Sequence, residues 1–511
     1  MLQTLKKHWD ERPLTLIMVS AIFFRLLAAI FSKGYGMHDD HFLVIEIAQQ
    51  WVDKCYGWDN WLPFGNSTAT GPSGHSLFYP GLQYILFRGL EGVGIVDPQI
   101  KMYIVRFLHA AFSLLIVYYG YKITEYYSGK KVARIAGLML ALLWFMPLFS
   151  VHNFVEVVCV PFLMYATWMI IQNDEKRKLS VYLLSGMVAG IAFSIRFQST
   201  LFLLGIGLVL LLERKWLGAI AYGFGVALMI ALMQGLTDYI IWKQPLGEFM
   251  EYVHYNATHP YDYITHGWET YPLLVSGIIL PPIGLFLWLG YFRNFRKQLI
   301  LFLPSFLFFV FHSSFPNKQE RFIFPFIPFF IMLGCIGWSE FVANSNYWKN
   351  HEKLLRNCWI FFWVLNIAPL IAMSTAYSKR NRVEAMTYLH DKGDARYLII
   401  DDYKNDNIIM PPLFYLRKFQ GTAWGVFGIT RTHNATELYN RIKDLPHEHQ
   451  PNYVIFWSDD KLDARVDSLQ KYYPKIRFEA TIEPGFVDKI MYTLNPENNQ
   501  NQTTLIYKLQ D

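Results

Sequence analysis

Residues 14–31 read LTLIMVSAIFFRLLAAIF, an apolar run in which Arg25 is the only charge. A stretch of about 20 mostly apolar residues is long enough, as a helix, to cross the hydrocarbon core of a bilayer. It follows Lys6 and Lys7, lacks a small-residue cleavage site and carries Arg25, so it reads as a retained helix rather than a leader. Working outward, about ten further runs of this kind recur at 102–121, 132–150, 154–171, 180–196, 199–212, 216–236, 271–291, 298–312, 322–341 and 357–377. The composition agrees. Of 511 residues, 53% are hydrophobic and only 17% charged, and mean hydropathy is +0.19, whereas soluble chains carry about 25% charge. These figures exclude a soluble enzyme and a disordered chain and predict a polytopic α-helical membrane protein. A net charge of +6, scattered along the chain, excludes a nucleic-acid binder. Cys55, Cys159, Cys335 and Cys358 lie far apart with no CxxC, which argues against a disulfide framework or a zinc site.

Orientation is read from the Lys/Arg bias of short loops. Lys6/Lys7, Lys122/Lys130/Lys131, Lys176/Arg177/Lys178, Arg214/Lys215, Arg293/Arg296/Lys297 and Lys349/Lys353/Arg356 fall on one side when spans alternate. That side is expected to be the cytoplasm, with the N-terminus on it. Segments 32–101 and 237–270, the short loop 313–321 and everything after 378 are then extracytoplasmic. The tail changes character from Tyr377 onward. Short β-like runs at Arg396–Asp401, Tyr453–Trp457, Phe478–Ile482 and Thr504–Lys508 alternate with helix-like stretches at Arg382–Lys392 and Glu437–Lys443. The expected organisation is therefore a transmembrane catalytic domain over 1–377, with 32–101 as a long first external loop, and a small extracytoplasmic α/β domain over 378–511. Asp401–Asp402, at the end of a predicted strand, reads either as a ligand site or, with better odds, as a polar strand exit.

The residues able to do chemistry gather on the external side. Gly36-Met37-His38-Asp39-Asp40-His41-Phe42 follows directly on the first run, and Glu46 lies seven residues after Asp39. Two helical turns would place Asp39 and Glu46 on one face of an amphipathic helix over 39–52, with Ile45, Ile47, Ala48, Trp51 and Val52 as its apolar side. A carboxylate in this position can act as general base toward an attacking hydroxyl, and the plain alternative is a water-exposed acidic loop. The loop 312–325 (HSSFPNKQERFIFP) brings Lys318 and Arg321 to the same predicted side. Two cations there suit a phosphate, or equally serve as snorkelling anchors. His152, Asn153, Glu156 and Arg196 cluster at outer span ends. Arg25, Arg106 and His109 read better as polar contacts between helices. The aromatic-dense segment 251–272 suits stacking on a sugar ring, although Trp and Tyr also belt membrane interfaces.

Together these motifs resemble the GT-C superfamily of glycosyltransferases, closest to glycosyltransferase family 22, whose members take mannose from a polyprenyl-phosphate carrier. The resemblance covers roughly 14–341. Arg25 with His38-Asp39-Asp40 and Glu46 is similar to the family's opening His-Pro-Asp-Glu-type motif, and His75-Ser76-Leu77-Phe78-Tyr79-Pro80 to its Arg-Ser-x-x-Tyr-Pro stretch. His152-Asn153-Phe154-Val155-Glu156 and Arg196-Phe197-Gln198-Ser199-Thr200 match two shorter elements, and Pro316-Asn317-Lys318-Gln319-Glu320-Arg321-Phe322-Ile323-Phe324-Pro325 matches the strongest signature. His75, Asn317 and Gln319 stand where the family has Arg, His and Glu. The resemblance implies an inverting transfer of a sugar, mannose by analogy, from a polyprenyl-phosphate donor to a hydroxyl on a glycan or protein acceptor. Asp39, or Asp40 if the register follows His38, would be the base with Glu46 beside it. Arg196, Lys318 and Arg321 would meet the donor phosphate. His38, His75, His152, Asn153, Glu156, Asn317 and Glu320 would line the substrate. No cofactor is implied; a divalent metal on Asp39/Asp40 with His38/His41, as in the oligosaccharyltransferase branch, is the disfavoured variant. The ending Leu509-Gln510-Asp511 has no endoplasmic-reticulum retention signal, and the α/β tail is of a bacterial type, so a bacterial inner membrane is expected. Sequons such as Asn66-Ser67-Thr68 and Asn256-Ala257-Thr258 do not bear on this. The rival readings are a transporter or flippase, which would show internal repeats and midplane charges, and a polymerase or ligase acting on a lipid-linked saccharide.

Overall fold

The first apolar run forms the helix Pro13–Phe31, with Pro13 at its first position, where the missing N–H costs nothing. One stripe of it is buried: Ile17, Ala21, Arg25, Ala28 and Ala29. Val19, Phe23, Leu26 and Ile30 on the other side are exposed. Small and polar residues inside with large apolar residues outside reverse the soluble pattern and fit a helix whose outer solvent is lipid. The computed structural model describes residues 2–53, 71–175, 178–262, 265–417, 425–497 and 499–510. Cys55, Lys176, Arg177 and the sequon at Asn66 lie outside the described residues.

Among the described residues six helices are long and apolar enough to cross a membrane: Pro13–Phe31, Pro98–Leu142, Val155–Gln172, Trp216–Trp242, Phe326–Asn344 and Glu352–Ser374. Shorter apolar helices cover Leu179–Ile195, Phe197–Leu212, Ile283–Arg293 and Leu299–Ser314. The protein is thus a multi-pass membrane protein. The runs 102–121 and 132–150 lie on either side of non-helical backbone at Gly129 (φ 73°, ψ 176°), which parts Pro98–Leu142 into two helices. The run 271–291 is not one span but two helices, Thr270–Ile278 and Ile283–Arg293, because Pro281 and Pro282 between them cannot supply helical N–H groups. Helices Ile283–Arg293 and Phe326–Asn344 pack closely where Gly290 meets Gly334 and Gly337, since a Cβ at Gly290 would lie 2.1 Å from the Gly334 carbonyl oxygen.

The chain divides into two compact units. One comprises Met1–Ile30, Thr70–Gly81 and Val105–Ser374; the other comprises Phe31–Ala69, Leu82–Ile104 and Thr375–Asp511. The residues that follow the first apolar helix therefore group with the C-terminal part. The second unit holds a five-stranded sheet of strands β1 (Tyr397–Asp401), β2 (Val426–Ile429), β3 (Pro451–Phe456), β4 (Arg477–Ile482) and β5 (Thr504–Lys508), in the order β2-β1-β3-β5-β4. β1 runs parallel to β2 and β3, while β5 is antiparallel to β3 and β4. β1 and β3 are buried along their whole length, as expected of central parallel strands covered on both faces. Helix Ala435–Ile442 starts in a capping box between Asn434 and Glu437 and places Leu438 and Ile442 over Ile399, Val454 and Phe456.

Candidate active site

In the second unit the acidic motif begins with a single helical turn, His38–Asp40, runs into a π-helical stretch, His41–Glu46, and ends in helix Ile47–Val52. The expected amphipathic helix over 39–52 is therefore corrected on two counts. The wider π turn breaks the α spacing that would align Asp39 with Glu46. From Val44 to Gln49 the segment is buried without interruption, so it has no polar face. Asp39 is half-buried, whereas Asp40 is buried and its Oδ2 accepts the Met37 N–H at 3.2 Å. Glu46 is buried as well: its Oε1 accepts the Phe414 N–H at 3.1 Å and lies 3.4 Å from His41 Nε2. The His41 ring is held between Tyr35 (centroids 4.6 Å, planes 21° apart) and Tyr415 (5.6 Å, 6°). His38 is exposed and stacks on Phe42. Lys379 donates from Nζ to the Tyr35 carbonyl at 3.2 Å and to that of Gly36. Burial, and then the neighbouring Arg382 charge, lower the Lys379 pKa to about 8. Among the described residues no three His, Cys, Asp or Glu side chains come together as metal ligands would.

In the first unit two arginines share one carboxylate. Glu156, on the short turn Val155–Val158, pairs through Oε1 with Arg196 Nη1 and lies 3.8 Å from Arg321 Nε. Arg196 sits in extended backbone (φ −146°, ψ 112°) just after helix Leu179–Ile195, so its side chain leaves the helix end instead of lying along it. Its Nη2 donates to the Phe322 carbonyl at 3.3 Å, and both guanidiniums stand over the Phe322 ring, at 5.4 and 5.5 Å. Arg321 Nε donates to Gln319 Oε1 at 3.0 Å. All three charged residues are under 5% exposed. Both guanidiniums thus converge on one carboxylate in a buried, low-dielectric place. Arg196 Nε, Glu156 Oε2 and Asn153 Oδ1 are buried without a hydrogen-bond partner among the described residues.

The other residues of the 312–325 loop divide. Lys318 turns inward: its ammonium donates to the carbonyls of Phe315 (2.5 Å) and His266 (2.9 Å), and desolvation lowers its pKa. Asn317 pairs with Thr265 through an isolated bridge and keeps a buried, unpartnered Oδ1. Glu320 is exposed and His152 buried.

A third arrangement holds His75. The backbone N–H groups of Ser73, Gly74 and His75 all donate to Glu248 Oε2, at 2.8, 2.7 and 3.1 Å. Trp242 Nε1 donates to Glu248 Oε1 at 2.8 Å. Asp238 Oδ2 accepts the Glu248 N–H, Gln234 donates to Asp238 Oδ1 at 2.7 Å, and Ser76 Oγ lies 2.7 Å from Gln234 Oε1. Three successive N–H groups on one oxygen form a nest for an anion, and here the chain supplies that anion itself. Burial raises the Glu248 pKa, opposed by its hydrogen bonds from Trp242, Ser73 and Gly74.

Residues 16–402 match the Alg9-like mannosyltransferase family. The chain belongs to that family. It is a membrane glycosyltransferase. It is 22% identical over 415 residues to mannosyltransferase APTG1 of Arabidopsis thaliana, a span that covers 74% of this chain and 70% of the relative. In fold it is similar to ArnT from Cupriavidus metallidurans, solved bound to undecaprenyl phosphate (TM-score 0.59, 14% identity, 96% of this chain and 97% of that one). The apo state of ArnT gives TM-score 0.60 at 13% identity, with the same coverage.

Within this mannosyltransferase-family enzyme, Glu156, Arg196 and Arg321 come together although 165 residues separate the first from the last. The acidic group falls in the other unit, with Asp39, Asp40 and Glu46 in three different environments. Arg25, Arg106 and His109 make the expected interhelical contacts. Arg25 reaches Ser113 Oγ at 2.9 Å and the Leu140 and Ala141 carbonyls, Arg106 Nε reaches the Ala29 carbonyl at 2.8 Å, and His109 meets the Tyr79 hydroxyl. Asp401 forms an ion pair with Arg465 (3.0 Å), and Asp402 accepts from Asn405 and the Ile409 N–H, so the pair fastens a loop. Glu248 and Asp238 were not foreseen. Two carboxylates in an apolar sequence neighbourhood were the available signal.

Proposed function

We propose that the enzyme moves a sugar of the mannose class from a polyprenyl-phosphate donor to a hydroxyl on a glycan or protein acceptor, with inversion, at the extracytoplasmic face. The convergence of the buried Arg196 and Arg321 guanidiniums at Glu156 carries this reading. Such a group suits an anion, and guanidiniums suit phosphate in particular. ArnT, with which the chain shares its fold, was solved with undecaprenyl phosphate, and the plant relative is named a mannosyltransferase. The acceptor oxygen attacks the anomeric carbon, its proton passes to Asp39, and the bond from that carbon to the phosphate oxygen breaks. The leaving polyprenyl phosphate carries off the electron pair, and Arg196 and Arg321 stabilise the charge that develops on it. Asp39 is preferred to Asp40 as the base because Asp40 is buried and holds the Met37 N–H, whereas Asp39 is half-exposed. Lys318 contributes positive potential in place of a direct contact, since backbone carbonyls occupy its ammonium. Glu46 acts on the motif through His41 and Phe414. The Lys/Arg distribution of the short loops supports an extracytoplasmic site, and the tail supports a bacterial plasma membrane. The test is transfer by the purified chain in proteoliposomes supplied with labelled polyprenyl-phosphate mannose and a set of hydroxyl acceptors. Product of inverted anomeric configuration is the expected result. Transfer only from a nucleotide sugar would sink the reading.

A further inference from the structure

The exits of two membrane-crossing helices meet in the second unit. The first apolar helix ends at Phe31 and the last at Ser374. A few residues beyond each, Gly34 forms a bridge with Ser378, and the Ser378 N–H donates to the Lys33 carbonyl at 3.1 Å. Chain length alone keeps this junction within roughly 20 Å of both helix ends, at about 3.5 Å per residue.

Helix Phe486–Leu494 is pinned to that junction. Asp488 Oδ2 accepts the Lys379 N–H at 2.7 Å. Gly485 sits so close to the chain that a Cβ there would lie 2.2 Å from the Tyr377 carbonyl oxygen. Asp488 thus marks the buried side of the helix. The opposite side carries Phe486 (73% exposed), Ile490 and Leu494 (74% exposed). Residues 486, 490 and 494 are spaced i, i+4, i+8 and form one apolar stripe. Elsewhere in this unit Ile85, Val93, Ile100 and Phe478 are exposed as well.

We propose that helix Phe486–Leu494 is an interfacial membrane anchor, its apolar stripe lying in the boundary between headgroups and acyl chains. The last crossing helix, with Val364, Ile367 and Ile371 exposed, ends five residues before Lys379, the residue that Asp488 holds. A helix with one apolar face and one polar face lies in the plane of the interface, and its binding scales with the apolar area it inserts. The single cation on the helix, Lys489, is paired with Glu483, so the anchor acts through apolar area and does not select anionic headgroups.

The test places a nitroxide on Leu494→Cys, and separately on Ile490→Cys, in the full-length chain with its native cysteines replaced, reconstituted in phosphatidylcholine vesicles. Asn440→Cys, exposed on helix Ala435–Ile442, serves as the aqueous reference. Both stripe labels are expected to collide several-fold more with oxygen than with a water-soluble nickel chelate, and the Asn440 label to show the reverse. Stripe labels that respond like the Asn440 label overturn the anchor. Stripe labels shielded from both reagents, with dipolar broadening between chains, overturn it in favour of a second copy of this chain.

Discussion

The acidic motif at 38–46 and the cationic group at Glu156, Arg196 and Arg321 both bring charge into buried surroundings, but they manage it in opposite ways. The acidic motif spends its carboxylates on its own scaffold: Asp40 holds the Met37 N–H and Glu46 holds the Phe414 N–H, which leaves Asp39 as the half-exposed member. The cationic group gathers two guanidiniums around one carboxylate. A carboxylate satisfied by backbone is architecture, and one that keeps access to water can exchange a proton. Two guanidiniums held side by side suit a phosphate.

The largest effect is expected from Asp39→Asn. It should lower the transfer rate by about 10²–10⁴, the usual worth of a positioned general base, while donor binding in an equilibrium assay stays intact. Asp40→Asn should cost stability far more than rate, and the reverse ranking would move the base to Asp40. Next comes Glu156→Gln, which takes from buried Arg196 the carboxylate it pairs with and should cost about 3–5 kcal/mol. The variant's melting temperature should fall and should recover more on adding polyprenyl phosphate than that of the parent. An unchanged melting temperature breaks the contrast between the two groups. Arg321→Ala should weaken donor binding by about tenfold to a hundredfold, equivalent to the roughly 1.5–3 kcal/mol of a charge-assisted hydrogen bond, with the acceptor KM hardly moved. Equal loss on both substrates would remove the phosphate assignment. The smallest effect is expected from Glu248→Gln, which keeps acceptor oxygens for the 73–75 backbone. Its thermal stability should drop by about 1–2 kcal/mol as charged hydrogen bonds become neutral. Glu248→Ala should exceed it clearly, because three N–H groups then lose their acceptor.

Legibility followed the physical range of each interaction. Apolar runs are local, so the crossing helices were readable, and Arg25, Arg106 and His109 could be assigned to helix contacts from their apolar flanks alone. Strands β1, β3, β4 and β5 were readable as β-branched and aromatic runs. β2, with the sequence Val426-Phe427-Gly428-Ile429, was too short and too glycine-broken to announce itself. The π stretch at His41–Glu46 was hidden because its sequence is equally acceptable to an α-helix, and packing around His41 selects the wider turn. The break at Pro281–Pro282 was visible in the letters, yet hydropathy ran straight through it.

By itself the sequence determined that this chain lives in a bilayer, where its uncharged runs fall, that a folded α/β tail follows them, and which ionisable residues stand at the ends of those runs. Each of these depends on neighbours within a few turns of chain. Tertiary structure alone decided which of the ionisable residues keep their charge for chemistry. That Glu156 answers both Arg196 and Arg321, that carbonyls absorb the Lys318 ammonium, and that Glu248 fastens the 73–75 backbone all depend on groups dozens to hundreds of residues apart. Coulomb and hydrogen-bond energies are set by distance in space and by the dielectric around them, and neither quantity is written in the order of the letters.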